Sequence, residues 1–101
     1  MSENYIQYAD GYQKDKIDKT DIKIAIKDIQ LMDDEHDAFW VSVITDEENV
    51  IEANRDLTLS VIFEGVETKY QAKNWNEVEE LYNLLLLENF TEIKAKIKYA
   101  S

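Results

Sequence analysis

The fold is decided by residues 57–73, LTLSVIFEGVETKYQAK. Leu59, Val61 and Phe63 recur at every second position, which is the period of a strand with one buried face. Gly65 supplies the positive φ that a tight hairpin turn requires. The alternation resumes after this glycine, so the stretch predicts two antiparallel strands joined by a hairpin.

The chain before this hairpin carries further strand patterns. Ile22, Ile24 and Ile26 alternate with lysine and alanine, which predicts a half-buried strand. The apolar positions then slip by one, and a β-bulge near residues 27–28 would absorb the change of phase. Two more apolar stretches predict strands, at residues 38–45 and 50–53.

The chain after the hairpin changes to a helical period. Asn74 is a suitable helix N-cap, and Glu77 stands three residues later, at the spacing of a capping box. One face of the predicted helix, which should end near residues 88–89, carries Trp75, Val78, Leu81, Tyr82 and Leu85. The tail, residues 91–101, fits a strand or a helix, and its alanine, lysine and glutamate content favours a short helix.

These patterns together indicate an α+β fold. We expect an antiparallel meander sheet of about five strands, with one long and one short C-terminal helix packed on one face. Residues 1–20 are polar and rich in tyrosine, and a glycine interrupts their periodicity, so they indicate an irregular or mobile lead-in. Residues 21–101 then form a single α+β domain, since 101 residues bury one modest core.

The charge of the chain is negative and unevenly distributed. The formal net charge is −11, and residues 21–56 hold eleven acidic against three basic residues. Negative charge opposes direct binding to nucleic acid or to an anionic membrane, since both need lysine and arginine. Residues 1–8 have neither a basic start nor an apolar run, so we expect a cytoplasmic protein.

The sequence gives no sign of catalysis. Cysteine is absent, there are only two glycines for a phosphate loop, and His36 is the single histidine. The acidic run at residues 33–37 lacks the glycine and the spacing of a calcium loop. We therefore expect no catalytic residue, no cofactor and no metal.

Two acidic turns and one aromatic strand define the candidate partner-binding residues. Phe39, Val41 and Val43 form the better core set, so Trp40 and its neighbours of the same parity point to the opposite face. The candidate set is Asp33, Asp34, Glu35, Asp37, Trp40, Ile44, Asp46, Glu47, Glu48 and Ile62. An apolar anchor inside an acidic rim fits a basic protein partner. The alternative is that residues 1–20 fold over this face and bury it.

The profile resembles the small acidic immunity proteins of bacterial toxin systems and, more loosely, phage-encoded inhibitors that imitate nucleic acid. The resemblance covers most of the chain as composition and layout, transfers no residue, and rests on three stretches, AFWVSVI at 38–44, RDL at 55–57 and NWNEVEELY at 74–82. It implies a non-enzymatic inhibitor that masks a toxin, a nuclease or another nucleic-acid-binding protein. A phage DNA mimic and a structural or assembly protein are the alternatives.

Overall fold

The computed structural model describes residues 3–8, 11–31, 38–45, 47–63 and 65–97. Within them the chain forms an α+β fold of six strands and three helices. The elements are β1 (Glu3–Gln7), β2 (Gln13–Asp15), α1 (Lys19–Gln30), β3 (Ala38–Ile44), β4 (Glu48–Asn54), β5 (Thr58–Phe63), β6 (Val66–Gln71), α2 (Trp75–Leu86) and α3 (Phe90–Ile97).

All six strands belong to one antiparallel sheet in the order β2-β1-β3-β4-β5-β6. Strands β3 to β6 form a meander in chain order. The β1–β2 hairpin adds to the free side of β3, with Ile6 opposite Val41. Edge strand β2 lies at one side of the sheet and edge strand β6 at the other.

The helices pack on one face of the sheet, which we call the inner face. Ile6, Phe39, Val41 and Ile51 on the strands are fully buried there with Leu81 and the other buried residues of the helices. Their neighbours along each strand therefore point to the other side, because successive side chains of a strand alternate between faces. We call that side the outer face.

The strand predicted at residues 22–26 is wrong, and so is the bulge at 27–28. This stretch lies in helix α1, with Ile22, Ala25, Ile26 and Ile29 buried at the spacing of one helical face. Ile24, which the strand pattern counted as an equivalent apolar position, is 46% exposed. The change in apolar spacing near residues 27–28 therefore reflects the period of a helix and not a β-bulge in a strand.

Residues 1–20 also differ from the expectation of an irregular lead-in. Glu3–Gln7 is a sheet strand and Gln13–Asp15 pairs with it, while Ile6 and Tyr8 belong to the core. The expected sheet of about five strands becomes six, because these two replace the one that is helical.

The strands predicted at 38–45, 50–53, 57–63 and 66–73 are confirmed as β3 to β6, and the two C-terminal helices as α2 and α3. Asn74 caps α2, its Oδ1 accepting from the amide of Glu77 at 2.9 Å. The Glu77 carboxylate turns instead to the amide of Lys73 and to the hydroxyl of Tyr70, at 2.8 and 2.9 Å. Half of the predicted capping box is therefore formed. The Glu77 side chain, which would form the other half, instead links α2 to β6 through Tyr70.

Candidate protein interface

The candidate site is the outer face of the sheet, where two rows of side chains cross the strands. The register of the strand pairs places side by side Asp15, Tyr5, Ser42, Val50, Ile62 and Glu67 in one row, and Gln13, Gln7, Trp40, Glu52, Ser60 and Lys69 in the next. A shorter third row holds Glu3, Ile44 and Glu48. The first row is uncharged in its middle and acidic at both ends, and the second row holds Glu52 beside Trp40.

A shallow depression of about 350 Å³ lies at the centre of the outer face. Trp40 and Lys69 stand on opposite sides of it, and Val50 and Ile62 line it between them. Ser60, a small side chain only 6% exposed, occupies the same row as Trp40 and leaves room for the concavity. The indole is half-buried, so one part of its surface faces the depression.

Carboxylates surround this depression. Glu48, Glu52 and Glu67 line it, and Lys69 is the one cation among its described lining residues. Lys69 lies 3.7 Å from Glu67 and both are exposed, so this pair contributes little stability, and the single lysine offsets one of the three carboxylates. The described outer-face positions as a whole carry five carboxylates, on Glu3, Asp15, Glu48, Glu52 and Glu67, against one lysine.

The backbone behind this site is held from the inner face by Tyr82 of α2. Its hydroxyl donates to the carbonyl of Ile51 at 2.9 Å, and its ring stacks on Phe39 with the centroids 5.2 Å apart. Burial, and secondarily the carboxylate of Glu52, raises the pKa of Tyr82 well above its ordinary value. The hydroxyl therefore keeps its proton and holds in place the two strands that present Trp40 and Glu52.

The structure brings together part of the predicted site. Trp40, Ile62 and Glu48 line the depression, and Ile44 lies on the same face opposite Glu48. Glu47 is exposed in the turn that precedes β4. The remaining predicted residues, Asp33, Asp34, Glu35, Asp37 and Asp46, lie outside the described residues.

The predicted set omits five of the described lining residues, namely Val50, Glu52, Ser60, Glu67 and Lys69. Val50 and Glu52 alternate in β4 with buried Ile51 and Ala53, so the period of two was a signal for their face. Glu67 and Lys69 reach the site through the pairing of β6 with β5, and the hairpin predicted at residues 57–73 was the signal for that pairing.

The alternative prediction was that residues 1–20 fold over this face. The described part of that segment does not lie over it. Strand β1 lies beside β3 in the plane of the sheet and places Tyr5 and Gln7 next to Ser42 and Trp40. Tyr8 goes to the core instead. The described N-terminal strands thus widen the outer face rather than bury it.

A larger cavity, of about 430 Å³, lies between α1 and α2 on the opposite side of the sheet. Lys23, Lys27, Trp75 and Glu79 are among its lining residues. Its charge is mixed, and it is a groove between the ends of two helices. The outer face differs in combining an aromatic side chain with a surplus of carboxylates, so we take it as the candidate site.

The three carboxylates of the depression do not form a metal centre. Among the residues that the structure describes, no three histidine, cysteine or acidic side chains are close enough to hold one ion.

None of the described helices has the length and apolar character to span a bilayer.

Comparison of the chain with protein families, curated proteins and solved structures finds no match.

Proposed function

We propose that this protein is a non-enzymatic inhibitor of the immunity type, which works in the cytoplasm by covering a basic surface of a partner protein such as a toxin or a nuclease. One observation carries the proposal: the outer face presents Trp40 beside a surplus of carboxylates. Protein interfaces use such aromatic side chains as central anchors and use charge to select and orient the partner.

The depression suits the side chain of an arginine. A guanidinium stacks favourably on an indole, and its five donors match carboxylate oxygens. In this site Trp40 would offer the ring, Glu52 and Glu67 the carboxylates, and Val50 and Ile62 an apolar surface for the methylene stem. The partner surface that we propose is therefore one with exposed arginines.

An arginine-rich peptide can stand in for such a partner surface and so tests this proposal. The chain has two tryptophans, so Trp75→Phe leaves Trp40 as the single indole, and its fluorescence reports binding. We expect the peptide to change the emission of Trp40, with an affinity that falls as salt rises. For a whole partner protein, Trp40→Ala should cost about 2 kcal/mol, a roughly 30-fold rise in Kd.

A matched pair of charge substitutions provides the control. Glu52→Gln removes a carboxylate from the depression, and Glu79→Gln removes one from the groove between α1 and α2. Both change the net charge equally, but only Glu52→Gln should weaken peptide binding. Equal losses for the two variants, or binding that leaves Trp40 emission unchanged, would refute the proposed site.

A DNA mimic gives a different result in competition. Such a protein presents carboxylates in place of phosphates, so it displaces duplex DNA from a DNA-binding protein and depends little on one indole. The apolar side chains of Trp40, Val50 and Ile62 within the depression favour the inhibitor instead. Displacement of DNA that is unaffected by Trp40→Ala would favour the mimic.

A further inference from the structure

Edge strand β6 has a row of backbone groups that point away from the sheet. The amide of Ala72 donates to the carbonyl of Leu57 at 2.9 Å, and this pair continues the register of β5 and β6. In an antiparallel ladder, hydrogen-bonded pairs alternate with pairs that bond outward. The amides and carbonyls of Glu67, Lys69 and Gln71 therefore point outward, and no strand among the described residues pairs with them.

The sequence of this edge is complementary to itself. Residues 66–70 read Val-Glu-Thr-Lys-Tyr, so Thr68 stands at the centre with an acid on one side and a base on the other. If a second copy pairs antiparallel about Thr68, Glu67 of each copy lies opposite Lys69 of the other. Both of these residues have outward backbone groups, so each such pair makes two backbone hydrogen bonds.

We propose that two copies of the chain pair through β6, antiparallel and centred on Thr68, so that one sheet continues across both. Oppositely charged side chains directly across an antiparallel pair are stabilising. On the inner face, Val66, which is 45% exposed, then lies opposite half-buried Tyr70 of the other copy. A closed two-fold contact of this kind uses the same surface twice and does not grow into a fibre.

The neighbouring registers are unfavourable. A shift by one residue would pair outward backbone groups with groups already bonded to β5. A shift by two would place Glu67 against Glu67, or Lys69 against Lys69, and like charges in that position are destabilising. Edge lysines commonly keep strands apart, but in this register Lys69 meets a carboxylate.

Two strand edges form a small contact, and each copy has a net charge of −11. The dimer should therefore be weak and depend on concentration. Sedimentation at physiological salt should show the 11.9 kDa monomer converting to a species of twice that mass as concentration rises. Amide hydrogen exchange should slow at Glu67 and Lys69 over the same range.

Charge reversal separates this register from any other contact. Glu67→Lys and Lys69→Glu should each weaken dimerisation about tenfold or more, since each creates two like-charged pairs. Mixing the two single variants restores opposite charges in both pairs, so heterodimers should form. The double variant Glu67→Lys/Lys69→Glu should also recover the dimer.

The control is Glu47→Lys, which makes the same charge change in an exposed turn and should not weaken the dimer. A monomer at every concentration would overturn the proposal. A dimer that resists both single reversals, or variants that do not recover on mixing, would overturn it as well. These results do not depend on the peptide binding proposed above, so either proposal can fail alone.

Discussion

At the scale of single residues, Ser42 is the unusual feature of the outer face. Ser42 is 0% exposed, and its hydroxyl has no hydrogen-bond partner within the described structure. Tyr5 and Val50 lie beside it on the neighbouring strands. A buried hydroxyl that has lost water without gaining a partner destabilises the fold.

Replacing Ser42 by alanine should therefore stabilise the protein. Ser42→Ala removes the unpaired hydroxyl without adding bulk beneath the outer face, and we expect the free energy of unfolding to rise by about 1 kcal/mol. Urea unfolding followed by circular dichroism measures it. The control is Thr45→Val, since this exposed threonine hydroxyl is hydrogen-bonded to Glu47 of the β3–β4 turn and to Asn49 of β4, and its loss should not stabilise the protein. A destabilised Ser42→Ala would mean that the hydroxyl is bonded after all.

At the scale of elements, helix α1 shows how a local pattern misleads. Ile22, Ile24 and Ile26 alternate over five residues, and a window of that length cannot distinguish a strand from a helix. The helix is specified at its start, where Asp18 and Asp21 form a capping box. Asp21 also accepts from Lys14 Nζ at 2.8 Å and from the Tyr8 hydroxyl at 3.3 Å, which ties α1 to the β1–β2 hairpin.

Asp21 should make stability depend on acid pH. Burial alone would raise the pKa of Asp21, but hydrogen bonds from Lys14, Asp18 and Tyr8 outweigh it and hold the pKa below its ordinary value. A carboxyl whose pKa is lower in the folded protein stabilises the fold at any pH above its pKa in the unfolded chain. This contribution is lost as pH falls through its pKa in the folded protein. The free energy of unfolding of Asp21→Asn should therefore be about 1–2 kcal/mol lower near neutral pH, and it should depend less on pH below about pH 4.

The measurement is urea unfolding at a series of pH values between about 6 and 2. Asp15→Asn makes the same change on exposed β2, and its profile should stay parallel to that of the unchanged protein. The interpretation fails if Asp21→Asn keeps the full acid dependence.

The sequence was sufficient for elements whose burial pattern is local. The β5–β6 hairpin has its own glycine turn, and α2 has its own cap at Asn74. Strand β2 has no such pattern, because all three of its residues are exposed and backbone pairing with β1 holds it in place. An edge strand of that kind leaves no hydrophobic period to detect.

At the scale of the whole molecule, the candidate site depends on the register of four strands that follow one another along the chain. Alternation within β3 was enough to place Trp40 and Ile44 on one face. Strand β4 lies between β3 and β5, and this order inserts Glu52 between Trp40 and Ser60. The meander order of these strands was predicted, but the register between them was not assigned from the sequence, so the acidic lining was only partly predictable.

The charge distribution of the molecule opposes its own folding at low ionic strength. The net charge is −11, and the molecule measures 34 × 27 × 21 Å. The Debye length is about 30 Å at 0.01 M salt and about 8 Å at 0.15 M, so at low salt the carboxylates repel each other across the whole molecule. Unfolding separates these charges and relieves that repulsion.

Sodium chloride should therefore stabilise the protein. Between about 0.01 and 0.15 M salt we expect the free energy of unfolding to rise on the order of 1 kcal/mol, measured by urea unfolding near neutral pH. Glu52→Gln removes one carboxylate from the acidic outer face, so it should be more stable at low salt and gain less from added salt. Stability that falls with salt would mean that attractive pairs such as Lys96–Glu80, 2.7 Å apart, outweigh the repulsion. In that case repulsion among the carboxylates would not be the dominant electrostatic contribution to the free energy of unfolding.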